Sequence, residues 1–434
     1  MKILIVSYFF PPGNAIGAVR VGKLAKYLHA KGHDIRVLTA EDDTLPPTLP
    51  LEVPLDVVSR SAVWQINKLP FIYLRRRHVF KAEGSVETSR LESLAGAIHR
   101  ALFNVPDGQI GWLPFAVQQG RRLIKVWHPD VIYASAKPFT SLIVAAILSK
   151  IFRVPWIAEY RDLWTDSSYY DQPFWRRWLD RCIENAVIRS AAGIVTVSEP
   201  LANTLQQRFR KPTTVSFNGF DPEDYSDVFP VVGGDRRVLE IVYTGMVYPG
   251  RRDPTSLFKA LAKMGPSREQ IRIKFFGRIL PGISQLAKKE GVRHLVEVHN
   301  ALSYQECLRV QQTADVLLLL LWNDPREEGI YTGKLFEYLA AGRPILVLGL
   351  ETGVAATLIR ERGAGHVIND PDLLSKQLQV WLDEKCERGF LPALPDSVRA
   401  GLSRYEQFAK LDGLFRQVMP LSASTMVCRE DKGK

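Results

Sequence analysis

The chain has 434 residues, 46% hydrophobic and 24% charged, with a net charge of +11. This composition excludes a disordered or collagen-like chain and describes a globular protein of two large domains or three small ones. The positive balance calls for an anionic partner: a nucleotide, a nucleic acid or a membrane surface.

The N-terminal "MKILIVSYFFPPGN" holds one short apolar run and reads as a first strand, not a signal peptide. A helix, "AVRVGKLAKYLHAKG", follows and ends at Gly32; "HDIRVLTA" is the next strand. Then come "DVIYAS", the helix "SLIVAAILSKIF", "PWIAEY", a long helix around "WRRWLDRCIENAVIRSA", and "GIVTVS". Strands separated by helices predict a doubly wound, mostly parallel sheet. The Pro-, Gly- and charge-rich "NGFDPEDYSDVFPVVGGDRR" reads as a connection, after which the alternation restarts. "LEIVYTGM", "IRIKFFG", "LVEVHN", "DVLLLLL" and "PILVLG" are strands; "TSLFKALAKMG", "ISQLAKKEG", "YQECLRVQQTA" and "GKLFEYLAAG" are helices. The expected organisation is a first domain over 1–222, a linker over 223–237 and a second domain over 238–400. A helix over 401–420 is expected to pack back on the first domain, and 421–434 to form a tail. No apolar run reaches transmembrane length; "LIVAAILSKIF" is cut by Lys150. Cys182, Cys307, Cys386 and Cys428 have neither disulfide nor metal-ligand spacing, which fits a reducing compartment.

Ligands of open α/β sheets bind at the carboxyl ends of the strands, and two such domains in tandem would face a shared cleft. The most informative stretch is "REEGIYTGKLFEYLAAGRPIL", Arg326 to Leu346. Thr332 reads as an N-cap, Gly342 as a left-handed stop, and Pro344 bars continuation. Lys334 falls in the first turn, where the macrodipole makes a cation unfavourable by a few tenths of a kcal/mol, about 0.3 or more. A bound anion would reverse that sign, with Glu337 one turn deeper as an acceptor. An ordinary exposed Lys–Glu pair is the other reading. "PPGNAIG" places Gly17 before the first helix, where a phosphate could approach backbone amides or where a simple flexible turn is needed. "YTGMVYPGRRDP" carries Arg251 and Arg252, suited to a diphosphate or to solvated surface charge. The eight histidines form no HxH pair, and no GxSxG elbow occurs. The acids at 41–43 lack the glycine fingerprint of a dinucleotide enzyme. No nucleic-acid-reading motif accompanies the charge.

In this order the N-terminal glycine loop, "GIVTVSEPL", "FNGFDPEDY", "TGM…GRRDP", "FFGR", "TADVLLLL" and "GKLFEYLAAGRPIL" resemble the retaining glycosyltransferases of the GT-B fold, the large family-four type. "DGQIGW" and "PWIAEYRDLW" resemble its bacterial surface-polysaccharide branch. The resemblance implies an α/β fold of two Rossmann-like domains facing a cleft, and transfer of a hexosyl or N-acetylhexosaminyl group from a nucleotide-diphosphate sugar with retention. It implies no cofactor and no metal. Glu337 would bind the donor's ribose, and Lys334 with Arg252 would hold the diphosphate. Gly17, Gly245, Arg251, Gly277, Arg278, Tyr331, Thr332 and Gly333 would complete the donor site. Asp162, just after a strand of the first domain, would orient the acceptor; a salt bridge to Arg161 or a neighbour is the alternative. Two departures stand out. Gly329 occupies the place of the first glutamate of the family's Glu-x7-Glu pair, with Glu327 and Glu328 out of register. Met246 stands where many members have an arginine. An epimerase of the same fold and a non-catalytic nucleotide-sugar-binding protein stay open. Trp64 to Phe80, with Arg75, Arg76 and Arg77, is read as an interfacial segment on an anionic membrane, a packed helix with a solvated basic edge being the other reading. The acceptor would then be a glycan or lipid-linked glycan, and the enzyme would be cytoplasmic, peripheral on the cytoplasmic face.

Overall fold

The computed structural model describes residues 1–64, 104–225, 237–247, 250–277 and 282–419. The chain divides into two compact units, Met1–Ser216 with Phe408–Lys434, and Phe217–Gln407. Arg278 and the stretch Arg75 to Arg77 lie outside the described residues.

Among the described residues the first unit carries a seven-stranded parallel sheet in the order β3-β2-β1-β4-β5-β6-β7. The strands are β1 (Lys2–Val6), β2 (Asp34–Ala40), β3 (Val58–Ser61), β4 (Val131–Ala136), β5 (Trp156–Tyr160), β6 (Gly193–Thr196) and β7 (Thr213–Val215). The helices are α1 (Ile16–Ala30), α2 (Leu113–Trp127), α3 (Thr140–Phe152), α4 (Phe174–Arg189) and α5 (Glu199–Phe209). Strands β4, β5 and β6 are buried along their whole length, as the two covered faces of a doubly wound sheet require. Strand order reverses between β1 and β4, which puts a ligand crevice at the ends of those strands.

Among its described residues the second unit repeats the plan with six parallel strands, in the order β10-β9-β8-β11-β12-β13. They are β8 (Leu239–Thr244), β9 (Ile271–Phe276), β10 (Val296–His299), β11 (Val316–Leu320), β12 (Ile345–Leu348) and β13 (Gly365–Val367). Its helices are α6 (Thr255–Lys263), α7 (Ile283–Lys289), α8 (Tyr304–Thr313), α9 (Gly333–Ala341), α10 (Val354–Glu361) and α11 (Pro371–Arg388). The pleat splits the strands between two cores: Ile241 and Tyr243 of β8 face one cluster, Val242 the other. The reversal here falls between β8 and β11. The last helix, α12 (Arg404–Val418), begins in the second unit, and from Phe408 its residues belong to the first. There Phe408 lies against Tyr27 and Phe415 against Tyr133.

The units divide at Ser216, ahead of the boundary at 222 read from composition. The cause is pairing. The Phe217 amide donates to Gln407 at 2.9 Å, and Phe220 bridges to Ser403. Gly219, at φ +63°, lets the backbone pass so close that a Cβ would stand 2.9 Å from the Leu402 carbonyl oxygen. Strands β3, β7 and β13 are additions to the sequence reading. All three are sheet edges of four residues or fewer.

Candidate functional site

The N-terminus of α9 faces the end of β8. Thr332 occupies the N-cap with φ −77° and ψ 144°, but its hydroxyl makes no capping bond. That hydroxyl oxygen is buried and has no hydrogen-bond partner. The first turn holds no acid. Lys334 runs back across it, and its Nζ donates to the Tyr243 hydroxyl at 3.0 Å and sits 4.4 Å from that ring's centroid. Gly245 makes this approach feasible: its φ is +126°, and a Cβ there would stand 2.2 Å from Nζ. Burial, then the positive charge of Arg252, pushes the Lys334 ammonium down to about 7.

Glu337 lies one turn deeper on the same face. Its Oε2 accepts a long bond of 3.4 Å from Gln311 Nε2, which also donates to Thr244 Oγ1 at 3.0 Å. Burial holds the carboxyl above its ordinary value, against the pull of Gln311, Arg404 and Lys334. The Cys307 thiol beside it is pushed up to about 11 by burial and by Glu337. The Tyr338 hydroxyl accepts from the Thr244 amide at 3.1 Å and shares a bond of 3.2 Å with the Thr244 hydroxyl, locking α9 to β8. Among the described residues Lys334 and Glu337 make no ion pair with each other, although helical spacing puts them side by side. A cation short of solvent, a carboxylate short of donors and an unpartnered hydroxyl thus line one helix start. That arrangement can take up an anion with adjoining hydroxyl groups.

The neighbouring residues sort out differently. Arg252 is the arginine whose charge reaches Lys334. Arg251 instead stacks on Trp322, 4.4 Å from the ring centroid, with Arg326 on the same ring at 4.7 Å. Arg326 clamps Asp324 at 2.6 Å and brings that carboxyl down to about 2. The Gly277 amide donates to the His299 carbonyl at 3.3 Å. Tyr331 packs on Phe217 and Phe336, and Gly333 is exposed at the first position of α9. Glu328 is exposed, and its backbone carbonyl accepts from the Val354 amide at 2.8 Å.

In the first unit the glycine loop is not an open phosphate cradle. A Cβ on Gly17 would stand 2.5 Å from Arg161 Nη2, so the guanidinium of Arg161 covers the start of α1. Arg161 is held there by Nε donating to the Ala136 carbonyl at 2.8 Å. Asp162 faces Lys137 at 3.6 Å, with side chains 50% and 52% exposed; Arg161 feels the Asp162 charge without closing a salt bridge to it. Of the acids after β2, Asp42 accepts from the Tyr8 hydroxyl at 2.9 Å and from the Thr44 amide at 3.0 Å.

Residues 17–219 match the family model described as a Glycosyl transferase 4-like domain, just under half of the chain. Comparison with curated protein sequences gives no match. Sucrose-phosphate synthase from Thermosynechococcus elongatus superposes with a TM-score of 0.61 at 16% identity, covering 96% of this chain and 98% of that one. WaaG, a glycosyltransferase involved in lipopolysaccharide biosynthesis, gives 0.56 at 15% identity, covering 96% and 99%. HepE of Anabaena, in complex with UDP-glucose, gives 0.54 at 15% identity, covering 96% and 98%. The chain has the GT-B fold. Together with the family match, this supports a GT-B glycosyltransferase.

Several residues around the start of α9 were not singled out in the sequence. Tyr243 supports Lys334 from inside β8, and Gln311 reaches Glu337 from α8 while itself fully buried. The one sequence signal is polarity in apolar surroundings: Tyr-Thr closing "LEIVYT" and Gln-Gln within "YQECLRVQQTA".

Proposed function

We propose that the protein is a retaining glycosyltransferase that moves a hexosyl or N-acetylhexosaminyl group from a nucleoside diphosphate to an acceptor hydroxyl. The observation that carries this reading is the unpaired Lys334 and Glu337 at the bare start of α9. Glu337 takes the ribose hydroxyls. Lys334, Arg252 and the α9 amides neutralise the diphosphate without a metal or cofactor, and the Gly245 turn admits it closely. Tyr331, Thr332, Gly333, Gly277 and Arg251 line the donor side. In the reaction the bond from the anomeric carbon to the phosphate oxygen breaks, its electron pair staying on phosphate. The acceptor oxygen bonds the same face of that carbon, and its proton passes to the departing phosphate oxygen. Charge develops on phosphate in the transition state, where fixed cations act most strongly.

HepE holds UDP-glucose, which makes uridine donors the first probes. We place the acceptor, a glycan or lipid-linked glycan, on the first unit with Asp162 beside its hydroxyl. The enzyme works as a peripheral protein on the cytoplasmic face of a membrane; among the described residues no helix is long and apolar enough to cross one. The test is a thermal-shift screen of UDP-, GDP- and ADP-sugars, followed by transfer of radiolabelled sugar with and without EDTA. Transfer that survives EDTA supports the reading. A donor converted to its epimer with the nucleotide still attached, or bound without any turnover, overturns it.

A further inference from the structure

Helix α4 hides its acids and displays its arginines. Its only carboxylates, Asp180 and Glu184, are both 1% exposed. Asp180 is bound by Arg176 at 2.9 Å and by the Tyr170 hydroxyl at 2.7 Å. Glu184 is bound by Arg208 at 2.9 Å and by the Tyr160 hydroxyl at 3.0 Å. The outer face is different. Phe174 is 87% exposed, Trp178 68% and Trp175 39%, and Arg177, Arg181 and Arg189 are exposed beside them. Phe174 and Trp178 are four apart, as are Arg177 and Arg181, so an aromatic row and a cationic row run side by side along the helix. Asp166 stands 3.6 Å from Arg181 but is already held by Arg208 at 2.7 Å. The positive field continues across this side of the sheet. Helix α3 packs between α4 and α2, and α2 exposes Arg121, Arg122 and Lys125 with no acid in its sequence.

Two large aromatics at this exposure on successive turns are unusual on a surface that meets only water. Trp and Phe alternating with Arg suit one environment well: the boundary between lipid headgroups and acyl chains. There an indole is stable half in each phase, and a guanidinium meets phosphate. We propose that this face of α4 docks on an anionic lipid surface, with Phe174, Trp175 and Trp178 in the boundary layer and Arg177 and Arg181 on lipid phosphates. The proposal deepens the reading of a lipid-linked acceptor given above and rests on it.

The full chain is floated with vesicles of phosphatidylglycerol and phosphatidylcholine, or of phosphatidylcholine alone. Wild type rises only with the anionic vesicles. Phe174→Glu/Trp178→Glu lowers the bound fraction about tenfold or more, and Arg177→Gln/Arg181→Gln flattens the salt dependence. Transfer to a water-soluble acceptor stays unchanged in both variants. Brominated lipid quenches wild-type tryptophan emission more than that of Trp178→Phe, a readout that needs no disruptive variant. The docking is overturned if the glutamate variant floats like wild type, or if bromine quenching ignores Trp178. It is equally overturned if wild type stays in the buffer, whether as a dimer that the glutamate variant dissolves or as a monomer. If α4-dependent flotation is seen but no sugar moves to any acceptor, the glycosyltransferase reading fails and the docking stands.

Discussion

Two clusters of buried charge, one in each unit, are treated in opposite ways, although the second unit also pairs Lys385 with Asp315. In the first, each inward carboxylate of α4 has an arginine and a hydroxyl within bonding distance, and Glu159 of β5 has Arg20 at 2.8 Å. Burial works against the Glu159 charge, but Arg20, Arg161 and the neighbouring hydroxyls together keep it below its usual range. In the second, Lys334 and Glu337 stand on one face without closing on each other, and burial drives both toward neutrality. Paired charges hold elements in register and resist replacement. Unpaired charges hold free energy that a ligand of the right charge can release.

The sharpest break of this comparison is a stability measurement. Arg208→Ala leaves Glu184 buried without its cation and Asp166 without its closest partner, at 2.9 and 2.7 Å in the wild type. Removing one member of such a network costs about 3–5 kcal/mol, read as a lowered midpoint in urea. Lys334→Met in the nucleotide-free protein should instead be neutral or stabilising, because it deletes a poorly solvated cation. The pH dependence has a defined sign. The folded protein loses the Lys334 proton near 7, while the unfolded chain keeps it to the ordinary lysine value of about 10.5. Between those values the unfolded state binds more protons, so Lys334 makes stability rise with pH in that window. Below about 7 both states are protonated and its destabilising effect is fully present. The difference between wild type and Lys334→Met, followed from pH 6 to 10 in the same denaturant series, isolates this slope (roughly that range, set by linkage). Equal losses in the two variants would erase the distinction between the clusters.

Next in size is the effect on turnover. Lys334→Ala should slow transfer by about 10²–10³-fold, the usual consequence of losing one fixed donor to a charge that develops in the transition state. Nucleoside affinity should fall far less, and Arg252→Ala should behave alike with a smaller loss. Above a pH of about 7 the neutral Lys334 should take up a proton as a nucleoside diphosphate binds. Calorimetry in two buffers of different ionisation enthalpy measures that uptake, and Lys334→Ala should abolish it. Normal turnover in both variants would return these cations to ordinary surface charge.

Glu337→Ala should weaken donor and free nucleotide alike, by about 1.5–3 kcal/mol if both ribose bonds are charge-assisted. Titration calorimetry with the nucleotide alone reads it. Because Gln311 reaches Glu337 at 3.4 Å, Gln311→Leu should reproduce part of the loss without touching the ligand. Wild-type nucleotide affinity in Glu337→Ala would sink the ribose assignment.

The architecture was readable because its central strands are covered on both faces. "ILIV" in β1 and "VLLLL" in β11 are continuous apolar runs that need no alternation to be recognised. The edges β3, β7 and β13 read "VSRS", "TTV" and "GHV", too short and polar to rise above the connecting loops. The site divides in the same way. Lys334, Glu337 and the Gly342 stop lie on one helix, so spacing alone places them together; Gly342 has φ +67°. What surrounds them comes from far along the chain: Tyr243 is 91 residues from Lys334, and Gln311 is 26 from Glu337. Pair contacts of that kind follow from sheet order, which hydrophobic periodicity does not contain. Gly17 shows the limit most plainly. A glycine before a helix suggested room for a phosphate, and only coordinates reveal the Arg161 guanidinium lying over it.

The smallest expected stability effect tests the acceptor side. Asp162 and Lys137 are 3.6 Å apart with both side chains about half exposed, 50% and 52%, so the pair is screened by water. Asp162→Asn should change the unfolding free energy by about 0–1 kcal/mol, the range of exposed ion pairs. This small cost separates position from structure: Arg208→Ala alters the fold's free energy, whereas Asp162→Asn leaves a folded protein whose kinetics can be read. If Asp162 orients an acceptor hydroxyl, the asparagine variant should show a reduced rate with saturating donor, a raised KM for acceptor and unchanged nucleotide affinity. Lys137→Ala supplies the control. It removes the same ion pair while keeping the carboxylate, so a purely ionic role predicts equal behaviour in the two variants. Divergence, with only Asp162→Asn impaired, assigns the carboxylate to the acceptor. Acceptor kinetics untouched in Asp162→Asn would place this pair with the structural charges of the first unit.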